Sequence, residues 1–82
     1  MFYVYILQSK IDGTFYTGMT SDVDQRLKEH NSSVTKTTRS RKPWSLVFTE
    51  ECDTRELARE REKYWKSGIG REKRDRLLER QV

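Results

Sequence analysis

The stretch FYVYILQSKIDGTFYTGMTSDVDQRLKEHN, residues 2–31, decides how this chain is read. Its opening run, FYVYILQS, and the later run TFYTGMT are rich in β-branched and aromatic residues, and Asp12-Gly13 stands between them. Asp and Gly tolerate the positive φ of a tight hairpin turn, so the pattern predicts two antiparallel strands. A turn centred on Asp12-Gly13 sets Leu7 opposite Gly18 and Ser9 opposite Tyr16. Tyr3, Tyr5, Tyr16 and Gly18 then share one face of the ribbon, while Phe2, Val4, Ile6, Phe15 and Met19 line the face that packs against a helix. A glycine inside a strand is costly unless something fills the space its missing side chain leaves, and beside two tyrosines that space could admit a phosphate. In this register Tyr16 lies four residues, roughly 13 Å at about 3.3 Å each, from the position opposite Tyr5. A bulge or inclined side chains are needed for both hydroxyls to reach one phosphate.

The helix that follows has Ser21 as its expected N-cap, with Asp22 and Asp24 placing negative charge in the first turn, where the helix dipole favours it. At about 100° per residue, with Val23 at zero, Leu27 falls near 40°, His30 near −20° and Arg26 near −60°. Arg26 and His30 therefore sit at the border of the buried face, where a side chain is both held and reachable.

Working outward, residues 32–43 form a polar, basic loop, and Lys36, Arg39, Arg41 and Lys42 are candidates to contact a sugar–phosphate backbone, helped by the hydroxyls of Thr37, Thr38 and Ser40. WSLVFTE, residues 44–50, reads as a third strand in which Trp44, Leu46 and Phe48 alternate with smaller or polar residues. Thr54 caps a second helix, RELAREREKYWKS, which Gly68 and Gly70 bring to an end. With Leu57 at zero, Glu62 falls near 140° and Glu60 near −60°, on opposite edges of an apolar arc, and geometry alone does not choose between the two carboxylates. REKRDRLLERQV, residues 71–82, is a third helical piece with a narrow stripe of Leu77, Leu78 and Val82. The expected fold is α+β: a three-stranded antiparallel sheet flanked by helices in the order β-β-α-β-α-α, with residues 1–82 as one domain.

The 82 residues carry 17 Lys or Arg against 13 Asp or Glu, a net charge of +4, and the basic excess lies beyond residue 35. That asymmetry fits a polyanionic partner, nucleic acid first. Cys52 is the only cysteine and His30 the only histidine, so neither an internal disulfide nor a zinc-type ligand set can be built. No apolar run spans a membrane and no signal-peptide pattern appears, which makes the cytoplasm the expected location.

Tyr3-Val4-Tyr5, then Tyr16-Thr17-Gly18, then Arg26 and His30 on the next helix resemble the signature of the GIY-YIG nuclease family, whose members include homing endonucleases, some restriction enzymes and the nuclease domain of the bacterial excinuclease C subunit. The likeness continues through His30-Asn31-Ser32, the basic segment ending in Pro43, and the run Glu62-Lys63-Tyr64-Trp65-Lys66-Ser67-Gly68, which is similar to the small single-domain, excinuclease-like branch. Ser33 stands where that branch commonly has glycine. The resemblance implies a DNA-binding hydrolase, with DNA repair among its settings, in which Glu62 holds one Mg²⁺ or Mn²⁺ and Arg26 stabilises the transition state. It implies that Tyr5 or Tyr16 activates water, the other orienting it, and that His30 accepts or relays the proton. Arg26 and the metal are expected to lower the tyrosine pKa. The alternative is a catalytically silent nucleic-acid-binding module of the same fold, in which Glu62 merely pairs with Lys66 one turn on. With no separate targeting region among these residues, a targeting partner protein or a homodimer is the implied means of choosing substrate.

Overall fold

The computed structural model describes residues 1–32 and 38–79. Strand β1 (Phe2–Ser9) and strand β2 (Phe15–Thr20) are followed by helix α1 (Val23–Asn31), a 3-10 turn (Arg39–Arg41), strand β3 (Trp44–Cys52), helix α2 (Arg55–Lys66) and helix α3 (Gly68–Glu79). The strands form one antiparallel sheet in the order β2-β1-β3, the α+β arrangement that the sequence predicts.

β1 takes the centre because it alone is apolar on both faces. Val4 and Ile6 pack with Cys52, Ala58 and Trp65, supported by Phe2, Phe15, Met19 and Phe48. Tyr5 and Leu7 pack with Trp44 on the opposite face, with Tyr16, Val23 and Leu27 around them. The period-2 alternation of one strand thus supplies two small cores, the first covered by α2 with Leu77 of α3 and the second by α1.

Four local expectations are corrected. The hairpin register is Tyr5 opposite Gly18 and Leu7 opposite Tyr16, two residues from the expected one. The cause is the loop: Ser9 N–H donates to the Thr14 carbonyl at 2.8 Å, so Lys10–Gly13 form a four-residue connection with Gly13 at φ 76°. Asp12 Oδ1 accepts from the Thr14 N–H and hydroxyl, which spends Asp12 on the loop's exit and not on a two-residue turn. A slip of two preserves every side chain's face, so the predicted faces survive, and it halves the separation along the strand between Tyr16 and the residue opposite Tyr5.

The N-cap of α1 is Asp22, whose Oδ1 accepts from Gln25 N–H at 3.1 Å, and Ser21 is exposed. Trp44, Leu46 and Phe48 do not share a face. Ile6 pairs with Phe48 while Leu7 pairs with Leu46, so a bulge at Val47 turns Trp44 toward α1 and Phe48 toward α2. Thr54 caps α2 as expected, accepting from Leu57 N–H at 3.1 Å. Gly68 and Gly70, however, open α3. Ser67 donates its hydroxyl to the Tyr64 carbonyl at 2.6 Å and accepts from Gly70 N–H at 3.2 Å, serving the end of one helix and the start of the next.

Candidate active site

The register places the Tyr5 phenol directly over Gly18. A Cβ built on Gly18 would lie 2.6 Å from the Tyr5 oxygen and 2.7 Å from its Cζ. The space that the missing side chain of Gly18 leaves is filled by the Tyr5 phenol. The register also carries the Tyr5 hydroxyl across β2, the outer strand of the sheet on that side.

α1 brings its two border residues to the same place. His30 is fully buried, and its Nε2 lies 2.9 Å from the Tyr5 hydroxyl. Its Nδ1 lies 2.7 Å from the Thr38 hydroxyl. Thr38 is itself buried, with its carbonyl accepting from Trp44 Nε1–H at 2.8 Å. Both imidazole nitrogens are thus engaged inside the protein, between a phenol and an alcohol. Tyr16 completes the cluster, its ring 4.8 Å from that of His30 and 6.3 Å from that of Tyr5.

Arg26 donates to Glu29 at 2.7 Å, which holds it cationic, and the remaining guanidinium acts on Tyr5. The sequence expectation was that positive charge would lower the tyrosine pKa. Among the protein's own groups burial outweighs Arg26: desolvation of the phenolate pushes Tyr5 up to about 12, although Arg26 pulls it down. Burial first, and Arg26 second, also hold His30 below its ordinary 6.5, so the imidazole is neutral at pH 7 and brings no charge to the tyrosine.

Glu62 comes from the other side of the sheet. Its side chain is 14% exposed, its carboxylate lies 3.2 Å from Lys66 Nζ, and its charge reaches the Tyr5 hydroxyl, where it disfavours the phenolate. Glu60 is exposed. Among the described residues no three His, Cys, Asp or Glu side chains gather as a ligand set. A hard cation such as Mg²⁺ keeps most of its waters and accepts a single carboxylate, so Glu62 fits the role that the resemblance implies.

The basic loop is less uniform than its composition. Lys36 and Thr37 lie outside the described residues, and Arg39 enters through its backbone in the 3-10 turn. Arg41 is exposed and sits 3.6 Å from Asp12, while its carbonyl accepts the Ser9 hydroxyl at 2.6 Å. Lys42 is half-buried. Thr38, expected to help contact phosphate, instead faces inward onto His30. Sequence reading missed that role because a threonine in a polar loop carries no periodic signal of burial.

A three-stranded sheet with a tyrosine laid over a strand glycine and met by an Arg-x-x-x-His helix is the arrangement that the resemblance to the GIY-YIG family leads one to expect. The model of the GIY-YIG catalytic domain matches residues 1–75, and the chain belongs to that family. Its relatives include a UPF0213 protein of Natronomonas pharaonis, 44% identical over 77 residues that span 93% of this chain and 88% of that one. A UPF0213 protein of Desulfotalea psychrophila is 48% identical over 62 residues, 73% of this chain but 56% of that one. The solution structure of a UPF0213 protein from Bacillus halodurans matches with a TM-score of 0.57 at 43% identity, covering 96% of this chain and 84% of that chain.

Proposed function

We propose that the protein is a metal-dependent endonuclease that hydrolyses phosphodiester bonds in nucleic acid, DNA ahead of RNA, by in-line attack of water. The observation that carries this reading is the 2.9 Å contact between Tyr5 and His30 at a hydroxyl that also feels Arg26 and Glu62.

From the protein's own groups, burial pushes the Tyr5 phenol up to about 12, which disfavours a standing phenolate as the base. A relay fits better. Tyr5 takes the proton of the attacking water as it gives its own to the neutral Nε2 of His30, and Nδ1–H donates to Thr38. That direction fixes the imidazole tautomer, and the lowered pKa of His30 keeps it ready to accept at neutral pH. The water oxygen forms the new bond to phosphorus as the bond to the leaving oxygen breaks. Arg26, permanently charged, binds the non-bridging oxygens and stabilises the crowded phosphorane-like charge. Tyr16, beside His30, orients water or phosphate. Glu62 would hold the divalent ion, which supplies charge neutralisation at the phosphate and leaving oxygen.

One observation favours the second reading, a silent nucleic-acid-binding module: the Glu62–Lys66 contact has the ordinary i to i+4 geometry of a helix-stabilising pair. Incubation with supercoiled, single-stranded and branched substrates in Mg²⁺ or Mn²⁺ against chelator separates the two. The nuclease reading expects cleavage that Glu62→Ala abolishes. Binding without cleavage by the wild type leaves only the module.

A further inference from the structure

Beyond the tyrosine cluster, an open cleft of about 510 Å³ runs between the outer edge of β2 and the junction of α2 with α3. Thr14, Phe15, Tyr16 and Thr17 form one wall, and Trp65, Lys66, Arg71 and Arg74 form the other. Three cations and no carboxylate line it. Arg74 is fixed, its guanidinium 4.1 Å from the Phe15 ring centre and 3.0 Å from Asp75. Lys66 is half exposed while it meets Glu62. Arg71 is exposed and enters no ion pair among the described residues.

The strand wall is polar as well. From the Ser9–Thr14 bond that closes the hairpin, the alternation of an antiparallel ladder turns the backbone N–H and C=O groups of Phe15 and Thr17 away from β1, toward this side. Among the described residues no further strand pairs with β2. Tyr16 lines the cleft and also lies beside His30, so the two regions adjoin at that residue.

We infer that this cleft is the track of the sugar–phosphate backbone of the substrate strand, with Arg71 and Lys66 contacting phosphates next to the one that is cut. The inference rests on the proposed nuclease reading and adds the path by which substrate enters. It adds a contact at the start of α3 to those expected from Lys36, Arg39, Arg41 and Lys42. Phosphate contacts of this kind position a strand without reading its bases, so the cleft confers affinity and no sequence preference.

The test is fluorescence anisotropy of the full chain with a labelled DNA duplex and its single strand, in chelator so that nothing is cut, over a series of salt concentrations. Arg71→Gln is expected to weaken binding severalfold and to lower the slope of log K against log salt by about one, the signature of one lost phosphate contact. Arg71→Glu should weaken it further, whereas Arg59→Gln, the same charge change on an exposed face of α2, should leave both quantities alone. Arg71 is exposed, so these variants keep the core. Wild-type affinity and slope in both Arg71 variants would overturn the cleft assignment, and so would displacement of the DNA by polyglutamate of equal charge. Either result leaves wild-type cleavage standing. Absence of cleavage in the wild type would instead sink the nuclease reading, so the two failures are separable.

Discussion

At the scale of single residues, the site is governed by burial more than by charge. Arg26 does lower the Tyr5 pKa, yet desolvation wins and carries the phenol to about 12, while the same burial keeps His30 neutral. Sequence reading located both residues through strand alternation and helical phase, but it had no measure of how dry they would be. It missed Thr38 for the same reason. Thr38→Val should cost about 1–3 kcal/mol, because His30 Nδ1 is left buried without a partner, while Thr38→Ser keeps the bond. Nitrogen-15 shifts of the imidazole should report loss of the Nδ1–H tautomer in the valine variant alone, and identical spectra in both variants would refute the role given to Thr38. The two shifted groups also set a pH window. His30, with its folded pKa below 6.5, contributes stability that is present above that value and lost as pH falls through the folded pKa. Tyr5, raised from 10.0 to about 12, contributes stability that is fully present below pH 10 and lost as pH rises through 12. Thermal melts across pH should show the alkaline loss in the wild type and a smaller one in Tyr5→Phe. Parallel losses in both proteins would contradict it.

At the scale of elements, what was legible followed from periodicity, and what was not followed from connections. The two-fold alternation of β1 and the phase of α1 gave the correct faces, whereas the buried face of α2 centres on Ala58 and Trp65 and leaves Leu57 41% exposed. The four-residue loop, the bulge at Val47 and the shared Ser67 cap are each decided by a few local hydrogen bonds, backbone or side chain to backbone, that no periodic pattern encodes. Arg61, which interrupts the apolar arc of α2, is explained by tertiary structure. It makes two bonds to Glu50 of β3, at 2.8 and 3.0 Å, and Trp65 Nε1–H donates to the same carboxylate at 3.2 Å. The α2–α3 junction is the tightest of these connections. A Cβ on Gly70 would collide with the Tyr64 carbonyl and come within 2.7 Å of Trp65 Cα, both of them backbone. Gly70→Ala is therefore expected to destabilise the fold by roughly 1–3 kcal/mol, since α3 must shift away from α2. Gly68→Ala meets nothing within 4 Å, so chemical denaturation of the two variants should separate them clearly. Equal midpoints would show that the junction is not held as described.

At the scale of the whole molecule, the sheet works as a partition with an open edge. One face carries Tyr5 and Tyr16 with Arg26 and His30 of α1, the other packs against α2, whose Glu62 acts on the Tyr5 hydroxyl through its charge, and β2 is the outer rim of the sheet. Glycine at position 18 is what lets the Tyr5 phenol lie across that rim. A net charge of +4 allows only a few phosphate contacts, so on the proposed reading the affinity should fall with salt along a shallow slope. The decisive measurement is single-turnover cleavage of a supercoiled plasmid and a branched duplex in Mg²⁺ or Mn²⁺, comparing wild type with Tyr5→Phe, Arg26→Ala and Glu62→Ala. The account predicts nicking by the wild type and a loss of at least about 100-fold in each variant, with DNA binding in chelator retained by Tyr5→Phe. Cleavage that persists undiminished in Arg26→Ala and Glu62→Ala would contradict it.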